Sequence, residues 1–184
     1  MSKELPLCIQ QTKQWIELFI IKLNLCPFAK YEVEKNEVMI QQSVAKTTEE
    51  ALDCLHEEIK RLDDNPTAAT SFLLFPFFLH NFLDYLDFVK LAELELGMNG
   101  YKGIYQLATF HPDYCFAATQ FDDITNYSNR SPYPMLHILR EESVEKAISH
   151  YPDTKVIPEN NIRNLQALGK EGVENILAEC LVIK

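Results

Sequence analysis

From Thr12 to Leu23 the apolar residues Trp15, Ile16, Phe19, Ile20 and Leu23 recur at the spacing of one helix face, with Lys13, Gln14, Glu17 and Lys22 between them. That period predicts an amphipathic helix. Asn24-Leu25-Cys26-Pro27-Phe28 ends it, because proline disfavours helical backbone in the residue before it, and the Cys26 thiol is thereby set at a turn. Between Glu37 and Val44, Val38, Ile40 and Val44 alternate with Met39, Gln41 and Ser43, the pattern of a half-buried strand; Tyr31 to Glu34 is a weaker candidate to pair with it through Lys35-Asn36. Thr47 followed by Glu50 has the form of a capping box, opening a helix that turns Leu52, Leu55, Ile59 and Leu62 inward and stops at Asp63-Asp64-Asn65-Pro66.

Ser71 to Phe75 is a short unbroken apolar run, as expected of a strand covered on both faces. The next helix, Leu79 to Leu96, is expected to bury Leu79, Phe82, Leu83, Leu86, Val89 and Leu94, with Gly97 as a left-handed stop. Ile104 to Phe110 reads as a third strand. His111 to Pro134 has no period, and loops of that length are usually functional or mobile. Pro134 to about His150 is read as a helix with Met135, Leu136, Leu139, Val144 and Ile148 inward. Pro158 then opens a helix carrying Ile162, Leu165 and Leu168 up to Gly169, and a last helix holds Val173, Ile176, Leu177 and Cys180. The alternation of strands and helices predicts a single α/β domain over residues 1–184, with a small sheet of three or four strands and a helical C-terminal section. A ferredoxin-like α+β sandwich, using the Tyr31 segment as a strand, is the alternative.

Composition narrows the function classes. The 184 residues carry 27 acids against 17 bases, a formal net charge of −10, so a broad nucleic-acid footprint or docking on an anionic membrane is not expected. No apolar run approaches a membrane span, and the N-terminal Met1 to Pro6 lacks the form of a signal peptide. Five scattered cysteines form no disulfide framework and no CxxC pair. A cytoplasmic location is the expectation.

Candidate chemistry concentrates after the third strand, since ligands of parallel sheets gather beyond the strands' carboxyl ends. His111 is a candidate acid or base there, or a cap that bonds a loop carbonyl. Between Ile124 and Arg140 no Asp or Glu occurs, while two of the chain's four arginines, Arg130 and Arg140, do. Arginine forks bind carboxylate or phosphate by paired hydrogen bonds, which suggests an anion clamp; the structural alternative is that both arginines pin the loop. Cys26 is a candidate nucleophile or an inert buried thiol. A mixed metal set of Cys26, His111, Cys115 and His137 lacks the close ligand spacing of zinc sites, so no metal is assigned.

The strings Trp15-Ile16-Glu17, Leu23-Asn24-Leu25-Cys26-Pro27-Phe28-Ala29-Lys30, Phe110-His111-Pro112 and Asn129-Arg130-Ser131-Pro132-Tyr133-Pro134-Met135-Leu136-His137 together resemble the bacterial family catalogued as domain of unknown function 1415, over nearly the whole chain. The resemblance implies a stand-alone bacterial cytoplasmic protein and brings no activity or cofactor with it. Its motifs coincide with Asn24, Cys26, His111, Asn129, Arg130 and His137. The expected function is an enzyme or binder of a small anionic metabolite: Cys26 and His111 as chemistry, Asn24, Asn129, Arg130, His137 and Arg140 as binding residues. A non-catalytic interaction protein, with the proline-rich loop as partner surface, and a Cys/His metal protein are the alternatives.

Overall fold

The computed structural model describes residues 5–151 and 153–183; residues 1–4, on which the reading of the N-terminus partly rested, lie outside them. Helix α1 (Leu7–Trp15) runs directly into a π-helical stretch, Ile16–Ile21, and short α2 (Ala29–Glu34) follows. Then come β1 (Val38–Gln42), α3 (Thr48–Asp63), β2 (Thr70–Leu74), α4 (Phe82–Met98) and β3 (Tyr105–Phe110). A 3₁₀ helix (Ile124–Asn129) precedes β4 (Met135–Arg140), and α5 (Glu141–Ser149) and α6 (Val156–Cys180) complete the order.

The four strands lie in the order β1-β2-β4-β3. β1 and β2 are parallel, and β4 is antiparallel to both of its neighbours. The register runs Gln42 to Leu74, Leu74 to Met135 and Met135 to Phe110, so the carboxyl ends of β1, β2 and β3 share one edge with the start of β4. Side chains alternate between the faces of this α/β sheet. Leu73, Leu136 and Ile138 pack against Leu55, Leu62 and Phe88 of α3 and α4. Phe72, Leu74 and Met135 pack on the other side against Trp15, Phe19 and Leu165. The central position of β2 accounts for its uninterrupted apolar run, all five residues being buried.

Thr47 caps α3 as expected, its hydroxyl accepting from the Glu50 amide at 3.2 Å. Gly169 also acts as read: its φ of 69° and ψ of 165° interrupt α6. Three expectations are corrected. Tyr31 to Glu34 belongs to α2, not a hairpin strand, and the ferredoxin-like alternative goes with it. Pro134 to His150 is not one helix, because Met135–Arg140 is the inner strand β4 and only Glu141–Ser149 is helical. In α4 the buried face is Tyr85, Phe88, Val89, Ala92 and Leu96, whereas Leu83 and Leu94 are 69% and 62% exposed. That helix carries exposed leucines among Asp84, Asp87, Lys90 and Glu93 on its wet side, so its period does not select a face; Gly97 lies inside it, and the left-handed turn comes at Gly100, φ 79°.

Candidate functional site

A cavity of about 250 Å³ lies under the face of the sheet that carries Phe72 and His137. The π-helical Ile16 and Ile20, the Cys26 turn, α2, α5 and the start of α6 form its other walls. The π stretch matters for these walls. Its wider turns end with the Leu25 amide bonded to the Ile20 carbonyl, five residues back, and Asn24 then takes a left-handed φ of 52° that reverses the chain. Two asparagines of α6 hold the reversed turn: Asn161 Nδ2 donates to the Leu25 carbonyl at 2.9 Å and Asn164 Nδ2 to the Leu23 carbonyl at 3.0 Å. Sequence positions 136 and 141 residues apart thus fix the same corner.

The floor is aromatic. The His137 ring lies flat on Phe72, centroids 3.8 Å apart and planes within 9°. Trp15 meets Phe110 edge-on at 5.3 Å and Phe72 at 6.3 Å. Burial pushes the His137 imidazole down to about 3, so the ring is neutral at physiological pH, and its Nε2 has no hydrogen-bond partner. Two further polar atoms of wall residues are buried without a partner, Glu32 Oε2 and Asn161 Oδ1. Burial and the adjacent Glu37 carboxyl hold Glu32 above the usual carboxylate range. Unpaired buried polar atoms cost about 1–3 kcal/mol each, and of the five such side-chain atoms among the described residues, three belong to residues that line this cavity.

Of the residues singled out in the sequence, Cys26, Asn129 and His137 line this cavity. Burial raises the Cys26 thiol above its ordinary value, although the Phe28 and Ala29 amides act in the opposite direction. Asn129 is engaged on both sides, donating to the Thr109 carbonyl at 3.0 Å and accepting from the Ser128 hydroxyl at 3.0 Å.

His111, Asn24, Arg130 and Arg140 do not line it. His111 is fully buried beyond β3, with Nε2 3.0 Å from the Leu79 carbonyl and Nδ1 accepting from the Asp113 amide at 2.9 Å. This is the capping alternative: the imidazole pins Leu79, a non-glycine residue held at φ 63°. Burial pushes its pKa down, the Leu79 carbonyl opposing. Arg130 is 8% exposed; its guanidinium donates to the Phe121 carbonyl at 2.6 Å and the Tyr114 carbonyl at 3.3 Å, and stacks 4.2 Å from the Tyr127 ring. Arg140, at the opposite end of β4, donates to the Ala68 carbonyl at 2.9 Å, the Tyr105 hydroxyl at 3.0 Å and the Leu62 carbonyl, at the carbonyl end of α3. Both arginines pin loops, through backbone carbonyls rather than carboxylates. Asn24 is exposed and serves the turn.

The edge expected to hold ligand is therefore filled by His111 and Arg130, and the cavity sits over the sheet's face instead. Sequence reasoning missed Glu32 and Asn161. Glu32 lay in the segment read as a strand, and Asn161 in a helix judged only by its apolar residues. No cluster of three or more His, Cys, Asp or Glu suited to a metal occurs among the described residues, so Cys26, His111, Cys115 and His137 do not form the mixed set. No helix among the described residues is long and apolar enough to cross a membrane.

Compared with known proteins, residues 7–175 match the model of the family described as protein of unknown function DUF1415. The chain belongs to this family. All the cavity-lining residues fall within the matched span, so the site is part of what the family model covers. No curated protein and no solved structure matches the chain.

Proposed function

We propose that this protein binds a small molecule in the cavity bounded by Cys26, Glu32, His137 and Asn161. The observation that carries this reading is the set of three partnerless polar atoms on residues of a mainly apolar wall with an aromatic floor. Small-molecule sites are concave and mostly apolar, with a few polar groups that fix orientation. The volume of about 250 Å³ lies a little below the usual range of drug-sized sites, which suits a compact metabolite.

The charge of the wall bears on the ligand. Among the described residues Glu32 is the only formally charged side chain that lines the cavity, and no Lys or Arg does. That distribution favours a neutral or cationic ligand over the small anion suggested by Arg130 and Arg140, whose donors are engaged by backbone carbonyls and the Tyr105 hydroxyl. The partner-surface alternative loses its anchor as well, since an Arg130 at 8% exposure offers little to an acidic partner. Five free cysteines support a reducing, cytoplasmic setting.

The chain supplies its own reporter. Trp15 is the only tryptophan and borders the cavity, as does the Cys26 thiol. A library of small metabolites is screened by Trp15 emission and by the rate at which iodoacetamide modifies Cys26. Binding compounds are expected to change the emission and slow the alkylation together. Compounds that stabilise the protein while leaving both signals unchanged would place the ligand site elsewhere and end this reading.

A further inference from the structure

Resting on the small-molecule reading above, we infer that the ligand is a primary ammonium on an apolar body, with the ammonium received by Glu32 and Asn161 and the body by the Trp15, Phe72 and Phe110 rings. Of the wall's other polar side chains, Thr70, Ser128 and Asn129 donate to carbonyls within the protein, Ser143 and Cys26 add a hydroxyl and a thiol, and the partnerless atoms are acceptors. Asn161 Nδ2 is held by the Leu25 carbonyl, so the partnerless atom of that amide is its oxygen, an acceptor. The partnerless atom of Glu32 is one oxygen of a carboxyl that shares a hydrogen bond with Glu37. His137 Nε2 belongs to a neutral ring and accepts when the proton sits on Nδ1. An ammonium carries three N–H donors and no acceptor, the complement of that inventory. A hydroxyl carries one donor, and a carboxylate carries none.

Charge points the same way. Glu32 is neighboured by the Glu37 carboxylate, with Lys35 and Lys146 acting on it more weakly from outside the wall. Two neighbouring carboxyls favour a cation and oppose an anion. The aromatic floor adds to this, because ring faces attract ammonium groups and their edges pack an apolar body. A quaternary ammonium would satisfy the rings but leave the three acceptors unpaired, so the N–H-bearing form fits better.

The test uses the full chain and three matched probes: phenethylamine, 2-phenylethanol and 3-phenylpropionate, each titrated against Trp15 emission near neutral pH. The amine is expected to bind about tenfold or more tighter than the alcohol, and the propionate weakest of the three. Glu32→Gln is expected to weaken the amine by about tenfold and the alcohol by less than about twofold, which also shows that the variant keeps its fold. Alcohol and amine binding alike, or Glu32→Gln weakening both alike, would overturn the ammonium inference and leave the cavity reading standing. No response to any of the three would overturn both.

Discussion

At the residue scale, two asparagines and one arginine show how the same residue type divides between turn, anchor and site. Asn24 has a left-handed φ of 52° and an exposed side chain, so its requirement is conformational. Asn24→Gly is expected to stay within about 0.5 kcal/mol of the parent in urea unfolding, and Asn24→Val to lose about 1 kcal/mol or more, because β-branching is strained there. Asn161, by contrast, both ties the turn and faces the cavity. Arg130 satisfies two carbonyls of the His111–Pro134 loop, so Arg130→Ala is expected to destabilise by about 3 kcal/mol, with Arg130→Lys recovering little because an ammonium lacks the planar fork. If Arg130 were an anion clamp, Arg130→Lys would retain stability and lose only ligand. The sequence showed that Arg130 stands in an acid-free stretch, Ile124 to Arg140; it could not show that backbone carbonyls, which every residue carries, are its partners.

At the element scale, the chain's own pattern was legible where an element has one wet face and failed where it has none. The half-buried β1 and the capped α3 followed from alternation and from Thr47. Met135–Arg140 alternates too, with Met135, His137 and Leu139 on one face and Leu136 and Ile138 on the other. Yet an inner strand buries both faces, so its residues also fit a helix begun by Pro134. His137 was therefore legible as a motif residue, but not as one stacked on Phe72. In α6 the two glycines separate by conformation. Gly169, at φ 69° and ψ 165°, lies where side chains are strained, and Gly169→Ala is expected to cost about 1–3 kcal/mol in spite of the open space around it. Gly172 is helical, and an added Cβ would meet Leu168 at an ordinary 3.5 Å, so Gly172→Ala is expected to gain about 0.5–1 kcal/mol. Thermal unfolding of the two variants checks the opposite signs.

At the scale of the whole molecule, the cavity joins residues from both ends of the chain, Ile16 and Cys26 with His137 and Asn161. Such convergence has no local signature, which is why Glu32 and Asn161 escaped a reading by motif. It does leave a signature in acid. The folded-state pKa of His137 is depressed to about 3, below an unfolded value near 6.5. The unfolded chain therefore takes the proton first, and stability falls as pH drops from about 6.5 towards 3. Between pH 7 and pH 5 His137 contributes a loss of about 2 kcal/mol, and buried His111, shifted in the same direction, adds to it. Urea unfolding of His137→Phe at both pH values is expected to show a correspondingly smaller loss; parallel changes in parent and variant would mean that His137 is not held neutral.

The central claim is that the space between the π-helical turn and the sheet is the ligand site. The most direct measurement is a crystallographic soak of the full chain with a set of small amines, alcohols and carboxylates. The account predicts density in the cavity, beside Glu32, Asn161 and the His137–Phe72 stack, for the amines above all. Fragments that leave this cavity unoccupied and gather at the Arg130 loop instead would contradict it.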